Sequence, residues 1–304
     1  EDDSLHVSIG EDEWPIYNDQ LSKLSEKKLA QLNSTDPLRK VYLKFYAIAL
    51  NNSGLMNDEK GDIPAALKYY FKSVKLHEDL GNKIFIASSY NNIGLIYKKQ
   101  GDIKTALEYY FKSLKIKEEI GDKKGIMRSF SNIGGILMDQ NDLDKALEYY
   151  QKSLKLTEEL GDKASEATIL NNIGTVYKER KDLQKALDYF ERSLILREQI
   201  GDKSGIANSY GNLANIYKKL DNVDKALEYH LKALEIFEVI DEKTGIATCL
   251  INIGSMLTSK NQLDKALIYS NRGMETSKRL GFPKYIYRSA IVIKNILRKQ
   301  NKYK

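Results

Sequence analysis

A single phrase governs what this chain can fold into. Asn91-Asn92-Ile93-Gly94-Leu95-Ile96-Tyr97 comes back, with small changes, every 40 residues. Asn132, Asn172, Asn212 and Asn252 stand where Asn92 stands, and Asn52 precedes them by one period. A strict internal period of this length means one supersecondary unit stacked on copies of itself, which overrides any domain count drawn from the 304-residue length. Six units follow at 41–80, 81–120, 121–160, 161–200, 201–240 and 241–280.

Each unit carries two turn signals about half a period apart. Gly101-Asp102 is echoed by Gly61-Asp62, Asn141-Asp142 and Lys181-Asp182. Gly121-Asp122 is echoed by Gly81-Asn82, Gly161-Asp162 and Gly201-Asp202. A glycine in the left-handed region ends one helix, and Asp or Asn caps the next. Two helices of about 17 residues, each roughly 26 Å long, fit between the turns. Apolar residues follow a helical period, with Ile86, Tyr90, Ile93, Gly94 and Tyr97 in one helix and Ile103, Ala106, Leu107, Tyr110 and Leu114 in the next. Gly94, Gly134 and Gly174, with Ala106, Ala146 and Ala186, allow the paired backbones to approach closely. A lone hairpin cannot bury its apolar faces but stacked neighbours can. The expected fold is all-α, a right-handed α-solenoid of helical hairpins.

Tyr90-x2-Ile93-Gly94-x2-Tyr97 followed by Ala106-x3-Tyr110 resembles the tetratricopeptide repeat (TPR) signature W-x2-L-G-x2-Y…A-x3-F. The resemblance covers about 41–280 in six copies. Two features depart from it: the unit is 40 residues long instead of roughly 34, and the Gly-Asp turn replaces the usual proline. The longer unit is similar to repeats of kinesin light chain, of the Leu-Gly-Asn-rich polarity adaptors, of Rap-type bacterial peptide receptors and of TPR regions joined to bacterial sensors.

The resemblance implies that the first helix of every repeat lines a concave groove. Its stripe reads Ser88, Asn92, Leu95, Lys99, then Arg128, Asn132, Gly135, Asp139. Thr168, Asn172, Thr175, Glu179 follow, then Asn208, Asn212, Asn215, Lys219 and Thr248, Asn252, Ser255, Ser259. The stripe is short, polar and mostly uncharged, unlike the outer face Lys104, Glu108, Lys112, Lys115, Glu119. An asparagine amide, with one acceptor and two donor hydrogens, can hold the C=O and N–H of an extended peptide. The resemblance implies Asn92, Asn132, Asn172 and Asn212 as peptide-binding residues, with Asn52 and Asn252 at the edges and Ser88, Thr168, Asn208 and Asn215 beside them. Arg128, Lys178 and Lys218 are candidates for acidic side chains or a terminal carboxylate. A second reading stays open, in which the asparagines brace adjacent hairpins.

Other classes are weakly supported. The 48 basic and 42 acidic residues give a formal charge of +6, interspersed along the chain, unlike a nucleic-acid footprint. No apolar run approaches the roughly 18 residues of a membrane helix. Cys249 is the only cysteine, and no metal or cofactor motif is found; Gly134-Gly135 lacks the strand and Lys-Ser/Thr of a phosphate loop. His230 takes the slot of Tyr70, Tyr110, Tyr150 and Phe190 and reads as packing, whereas His77 matches Lys117, Thr157 and Arg197 and reads as surface. No catalytic constellation appears, so the expected function is a non-catalytic protein- or peptide-binding scaffold, the receiving part of a larger signalling or regulatory protein.

The ends differ from the repeats. Residues 1–14 read as a mobile acidic leader and 15–36 as an N-terminal capping helix, ahead of six hairpins over 37–280. Residues 281–304 read as the first helix of a seventh, truncated repeat, whose apolar Ile286, Ile291, Ile293, Ile296 and Leu297 would be partly open. That end is the alternative docking place, either for a downstream effector domain in cis or for a second copy in a homodimer.

Overall fold

The computed structural model describes residues 14–300, so residues 1–13 of the acidic leader and the last four residues lie outside the described part. Fourteen helices are described: α1 (Trp14–Gln31), α2 (Pro37–Glu59), α3 (Ile63–Asp79), α4 (Lys83–Lys99), α5 (Ile103–Glu119), α6 (Lys123–Asp139), α7 (Leu143–Leu160), α8 (Lys163–Glu179), α9 (Leu183–Ile200), α10 (Lys203–Lys219), α11 (Val223–Val239), α12 (Lys243–Ser259), α13 (Leu263–Leu280) and α14 (Pro283–Lys299). From α2 on, even-numbered helices are the first (A) helix of a repeat and odd-numbered ones the second (B). The chain divides into two compact units, one ending at Asp142 and the other starting at Leu143. Hairpins α2/α3 and α4/α5 lie in the first unit; α8/α9, α10/α11 and α12/α13 lie in the second.

The turns are built as the sequence requires. Gly61, Gly101, Gly121 and Gly161 have φ between 65 and 80°, which a β-carbon disfavours. Around Gly101, the N–H of Asp102 bonds Tyr97 O at 3.0 Å and that of Gly101 bonds Lys98 O at 3.0 Å, satisfying the last carbonyls of α4. Asp102 then caps α5 by accepting from Thr105 N at 3.1 Å, and Asp62, Asp122, Asp162, Asp182 and Asp202 cap in the same way. Lys181 holds the same left-handed conformation at φ 64° without the freedom of glycine.

In three hairpins, a glycine faces a large ring. A β-carbon on Gly54 would sit 2.8 Å from the Tyr70 ring, one on Gly94 3.2 Å from Tyr110, and one on Gly174 2.9 Å from Phe190. In α10/α11 the matching positions hold Ala214 and His230, a larger small residue and a smaller ring. A buried serine on the B helix ties the pair further: Ser73 Oγ donates to Ala47 O at 2.8 Å, Ser113 to Ala87 O at 2.7 Å and Ser193 to Ala167 O at 2.7 Å.

A second repeated pair joins α5 to α6 and α9 to α10. Lys117 and Arg197 are buried and stretch under the next helix to reach Ser129 Oγ at 2.9 Å and Gly205 O at 2.6 Å. Eight residues on, glycine is required: a β-carbon on Gly125 would lie 2.9 Å from Lys117 Cδ, and one on Gly205 2.7 Å from Arg197 Cδ. His77 occupies this slot in the first repeat and is fully buried, which corrects the surface position expected for it. Its shorter ring leaves room for Phe85 in place of glycine, and the two rings stack at 4.7 Å.

Ahead of the repeats, α1 begins at Trp14 and ends at Gln31, where the sequence reading placed a helix over 15–36. Asn18 Nδ2 on its inner face donates to Ala49 O at 3.1 Å and to Ser53 Oγ at 3.0 Å on α2. Arg39 closes the C-terminal end of α1 by donating to Leu29 O and Leu32 O. At the other end, α14 places Ile296 in the core of the second unit with Leu250, Ile253 and Leu257, while Tyr287 stays 68% exposed.

Candidate functional site

The asparagine row lies on the A helices and its members have different partners. Asn132 Nδ2 donates to Asn91 Oδ1 at 3.2 Å, and Asn212 Nδ2 to Asn171 Oδ1 at 2.7 Å, so each reaches back one repeat. Asn92 pairs with the hydroxyl of Tyr70; burial pushes that phenol up and the bond partly offsets it. Asn252 is engaged at both ends: Arg288 donates to its Oδ1 at 3.2 Å, and its Nδ2 lies 3.3 Å from His230 Nε2. The row thus braces neighbouring repeats at several places. An amide that uses one N–H for bracing keeps its other donor, and Asn132 and Asn212 also keep an acceptor.

The row beside it is simpler. Ser88 Oγ donates to Ile84 O at 3.1 Å, Thr168 Oγ1 to Ala164 O at 3.0 Å, Asn208 Nδ2 to Ser204 O at 2.9 Å and Thr248 Oγ1 to Thr244 O at 2.8 Å. Each turns a donor onto the carbonyl four residues back in its own helix. The hydroxyl or amide oxygen is left to accept, and Ser88, Thr168 and Asn208 are exposed.

In the second unit the A helices frame a recess of about 460 Å³ between α10, α12 and α14. Asn208, Asn212, Asn215 and Asn252 from the predicted stripe line it, together with Thr248. Sequence reasoning missed Gly211, His230 and Tyr285, which also line it; the loss of a side chain at 211, where Asn91 and Asn171 stand in other repeats, was the available signal. Asn52 and Asn172 lie half-buried on α2 and α8. Arg128 is exposed, Lys178 pairs with Glu179 at 3.1 Å, and Lys218 is exposed at the end of α10. These three cations do not line the recess.

His230 is 1% exposed, and burial, helped by nearby Lys218, lowers its pKa to about 4, so the ring is neutral near pH 7. Cys249, also at the recess, is buried, and burial pushes its thiol up to about 12, which makes it a poor nucleophile. Among the described residues, no group of three His, Cys, Asp or Glu side chains could hold a metal ion, and no helix is long and apolar enough to cross a membrane.

The tetratricopeptide repeat profile matches residues 45–119, 125–199 and 205–279, most of the chain. The chain belongs to the tetratricopeptide repeat family. TPR arrays are non-catalytic repeat scaffolds for protein interaction. Among solved TPR-like structures, BtubC (BKLC) from P. vanneervenii matches with a TM-score of 0.65 at 19% identity, over 75% of this chain and 91% of that one. The apo form of RapI matches with a TM-score of 0.62 at 20% identity, over 84% and 98%. A Signal Transduction ATPase with Numerous Domains from Pyrococcus horikoshii, which carries a tetratricopeptide repeat sensor, matches at 0.68 and 18% identity, over 93% of this chain and 44% of that one. At these identities the likeness concerns the fold. No curated protein matches the chain in sequence.

Proposed function

We propose that this TPR array is a non-catalytic receptor for an extended peptide or partner segment, held against its A helices by the peptide backbone, and that it is the receiving part of a larger signalling or regulatory protein. The observation that carries this reading is the row Thr168, Asn208, Thr248, with Ser88 in the first unit. These side chains spend a donor on their own helix and turn oxygens outward, beside an asparagine row that retains amide donors. Alternating acceptors and donors carried by successive A helices suit the N–H and C=O of an extended chain. Asn132 and Asn212 then serve two roles, bracing with one N–H and binding with the rest of the amide. The sensor role of the TPR part of the Pyrococcus protein is compatible with a receiving module here.

The test uses a displayed library of random peptides selected on the full chain, followed by titration of the winners. Thr168→Ala/Asn208→Ala/Thr248→Ala removes three groove oxygens from side chains that donate within their own helices, so the melting temperature should hold. With each hydrogen bond worth roughly 1 kcal/mol, binding should weaken on the order of a hundredfold. Unchanged binding by the equally stable variant refutes the groove.

A second reading is favoured by the apolar residues at the C-terminal end, where Ile268 is 69%, Phe282 51% and Tyr287 68% exposed. That surface would dock an effector domain or a second copy. Sedimentation of the wild type against Tyr287→Lys distinguishes it: a concentration-dependent dimer lost in the variant supports self-association.

A further inference from the structure

Helix α14 carries two side chains at positions that the repeats keep for close approach of the paired helix. Position 294 matches Gly54, Gly94, Gly174 and Gly254, and it is lysine. In the hairpins a β-carbon there would already sit 2.8 Å from the Tyr70 ring, 3.2 Å from Ala106 O and 2.9 Å from the Phe190 ring. Position 287 matches the buried Ala47, Ala87, Met127, Ala167, Ala207 and Ala247, and it is tyrosine, 68% exposed. A helix packed as tightly as inside the repeats does not fit against this face. The surface is shaped for something other than another repeat helix.

Its charge is one-sided. The helix holds five basic residues and no Asp or Glu. Arg288 and Lys299 reach back into the array, donating to Asn252 Oδ1 at 3.2 Å and to Thr258 O at 3.0 Å. Lys284, Lys294 and Arg298 are exposed and have no ion pair among the described residues. Tyr287, Ile291, Lys294 and Arg298 follow each other at spacings of four, three and four, so they form one stripe, opposite the buried Ser289 and Ile296. Arg298 stands where Lys98 stands in α4, and Lys98 pairs with Asp139 of the next A helix at 3.1 Å. At that register the array itself meets the cation with a carboxylate from the element that follows.

The charge also decides among occupants. Two copies of α14 set face to face would oppose like charges. An anionic membrane would attract the three cations, but a helix that lies in the interface inserts its apolar face. Here that face is already spent, with Ile296 in the core of the second unit and Ile286 and Ile293 half-buried. A protein segment that brings carboxylates to Lys294 and Arg298 and apolar groups to Tyr287 and Ile291 satisfies the whole stripe.

We infer that the outer face of α14 docks an acidic amphipathic helix of a partner protein. Its carboxylates lie on Lys294 and Arg298, and its apolar side chains on Tyr287 and Ile291. This inference rests on the second reading above, that the C-terminal end docks a partner, and supplies that partner's chemistry.

The experiment selects a displayed library of amphipathic helices, their polar positions randomised among Glu, Gln and Lys, on the full chain. Winners are titrated against wild type, Lys294→Glu/Arg298→Glu and Tyr287→Ser, changes at exposed positions that should leave the melting temperature unaltered. The expected winners are rich in Glu, and each variant weakens them at least tenfold. Exchanging Glu for Lys in a winner should restore binding to Lys294→Glu/Arg298→Glu, a rescue that damage to the fold would not allow. Winners without Glu that still depend on Tyr287 overturn the acidic partner and leave the docking reading standing. So does a dimer seen in sedimentation and lost in Tyr287→Ser. Vesicles of equal parts phosphatidylserine and phosphatidylcholine that retain wild type but not Lys294→Glu/Arg298→Glu, with no helix bound, assign the face to a membrane and overturn the inference. If no helix responds to either variant, the docking reading fails and the acidic partner with it.

Discussion

Asn212 donates to Asn171 at 2.7 Å across 41 residues of sequence, joining the A helices of consecutive repeats. Asn132 and Asn91 form the same pair in the first unit at 3.2 Å. Mid-helix asparagine costs roughly half a kcal/mol or more relative to alanine, and this pairing offsets part of that cost.

Replacing either partner of the Asn171–Asn212 pair by alanine should therefore show coupling. A double-mutant cycle on Asn171→Ala and Asn212→Ala, read by urea denaturation, should give an interaction of about 1 kcal/mol. A coupling near zero would mean that the bond adds nothing to stability and that ligand contact is the better explanation of the row.

Gly174→Ala should destabilise the chain by about 1–3 kcal/mol, because its methyl would meet the Phe190 ring at 2.9 Å. The Ala214–His230 pair indicates how such a methyl is accommodated. In a Phe190→His background the cost of Gly174→Ala should fall by about 1 kcal/mol or more. Equal cost in both backgrounds would refute the size compensation.

The buried imidazoles make stability fall in acid. Burial, helped by Lys44, lowers the pKa of His77 from 6.5 to about 4, and burial with Lys218 does the same to His230. Above pH 6.5 the rings are neutral in both folded and unfolded chains and contribute no slope. Between about 6.5 and 4 the unfolded chain takes up protons that the folded chain refuses, so stability drops as pH falls; below about 4 this contribution levels off. Each ring is worth up to roughly 3 kcal/mol across that window. His77→Phe, which removes two ring nitrogens lacking partners and keeps an aromatic ring beside Phe85, should flatten the acid limb in denaturation series at pH 7 and pH 4.5. An unchanged slope would show that His77 does not contribute to it.

The period, the caps and the hairpin glycines were legible because each is a local rule repeated in place. The polar stripe was legible for the same reason, and four of its asparagines line the recess. The slot of His77 was not. Lys117 and Arg197 mark it with charges that usually mean solvent, yet both thread beneath the following helix to a polar partner. Burial there depends on long side chains reaching across a helix interface, which residue type alone does not reveal. The His230–Asn252–Arg288 chain was hidden for a related reason, since it joins three helices through atoms whose roles follow only from geometry.

The contacts that tie this chain together come back at short and regular distances along it. Serine ties close over 26 residues, basic–acidic pairs over 36 and asparagine pairs over 41. Such loops are cheap to close, and arrays of this kind can start folding at any hairpin and extend from there. As the ribosome releases the chain, early hairpins have their partners in hand before the later ones exist.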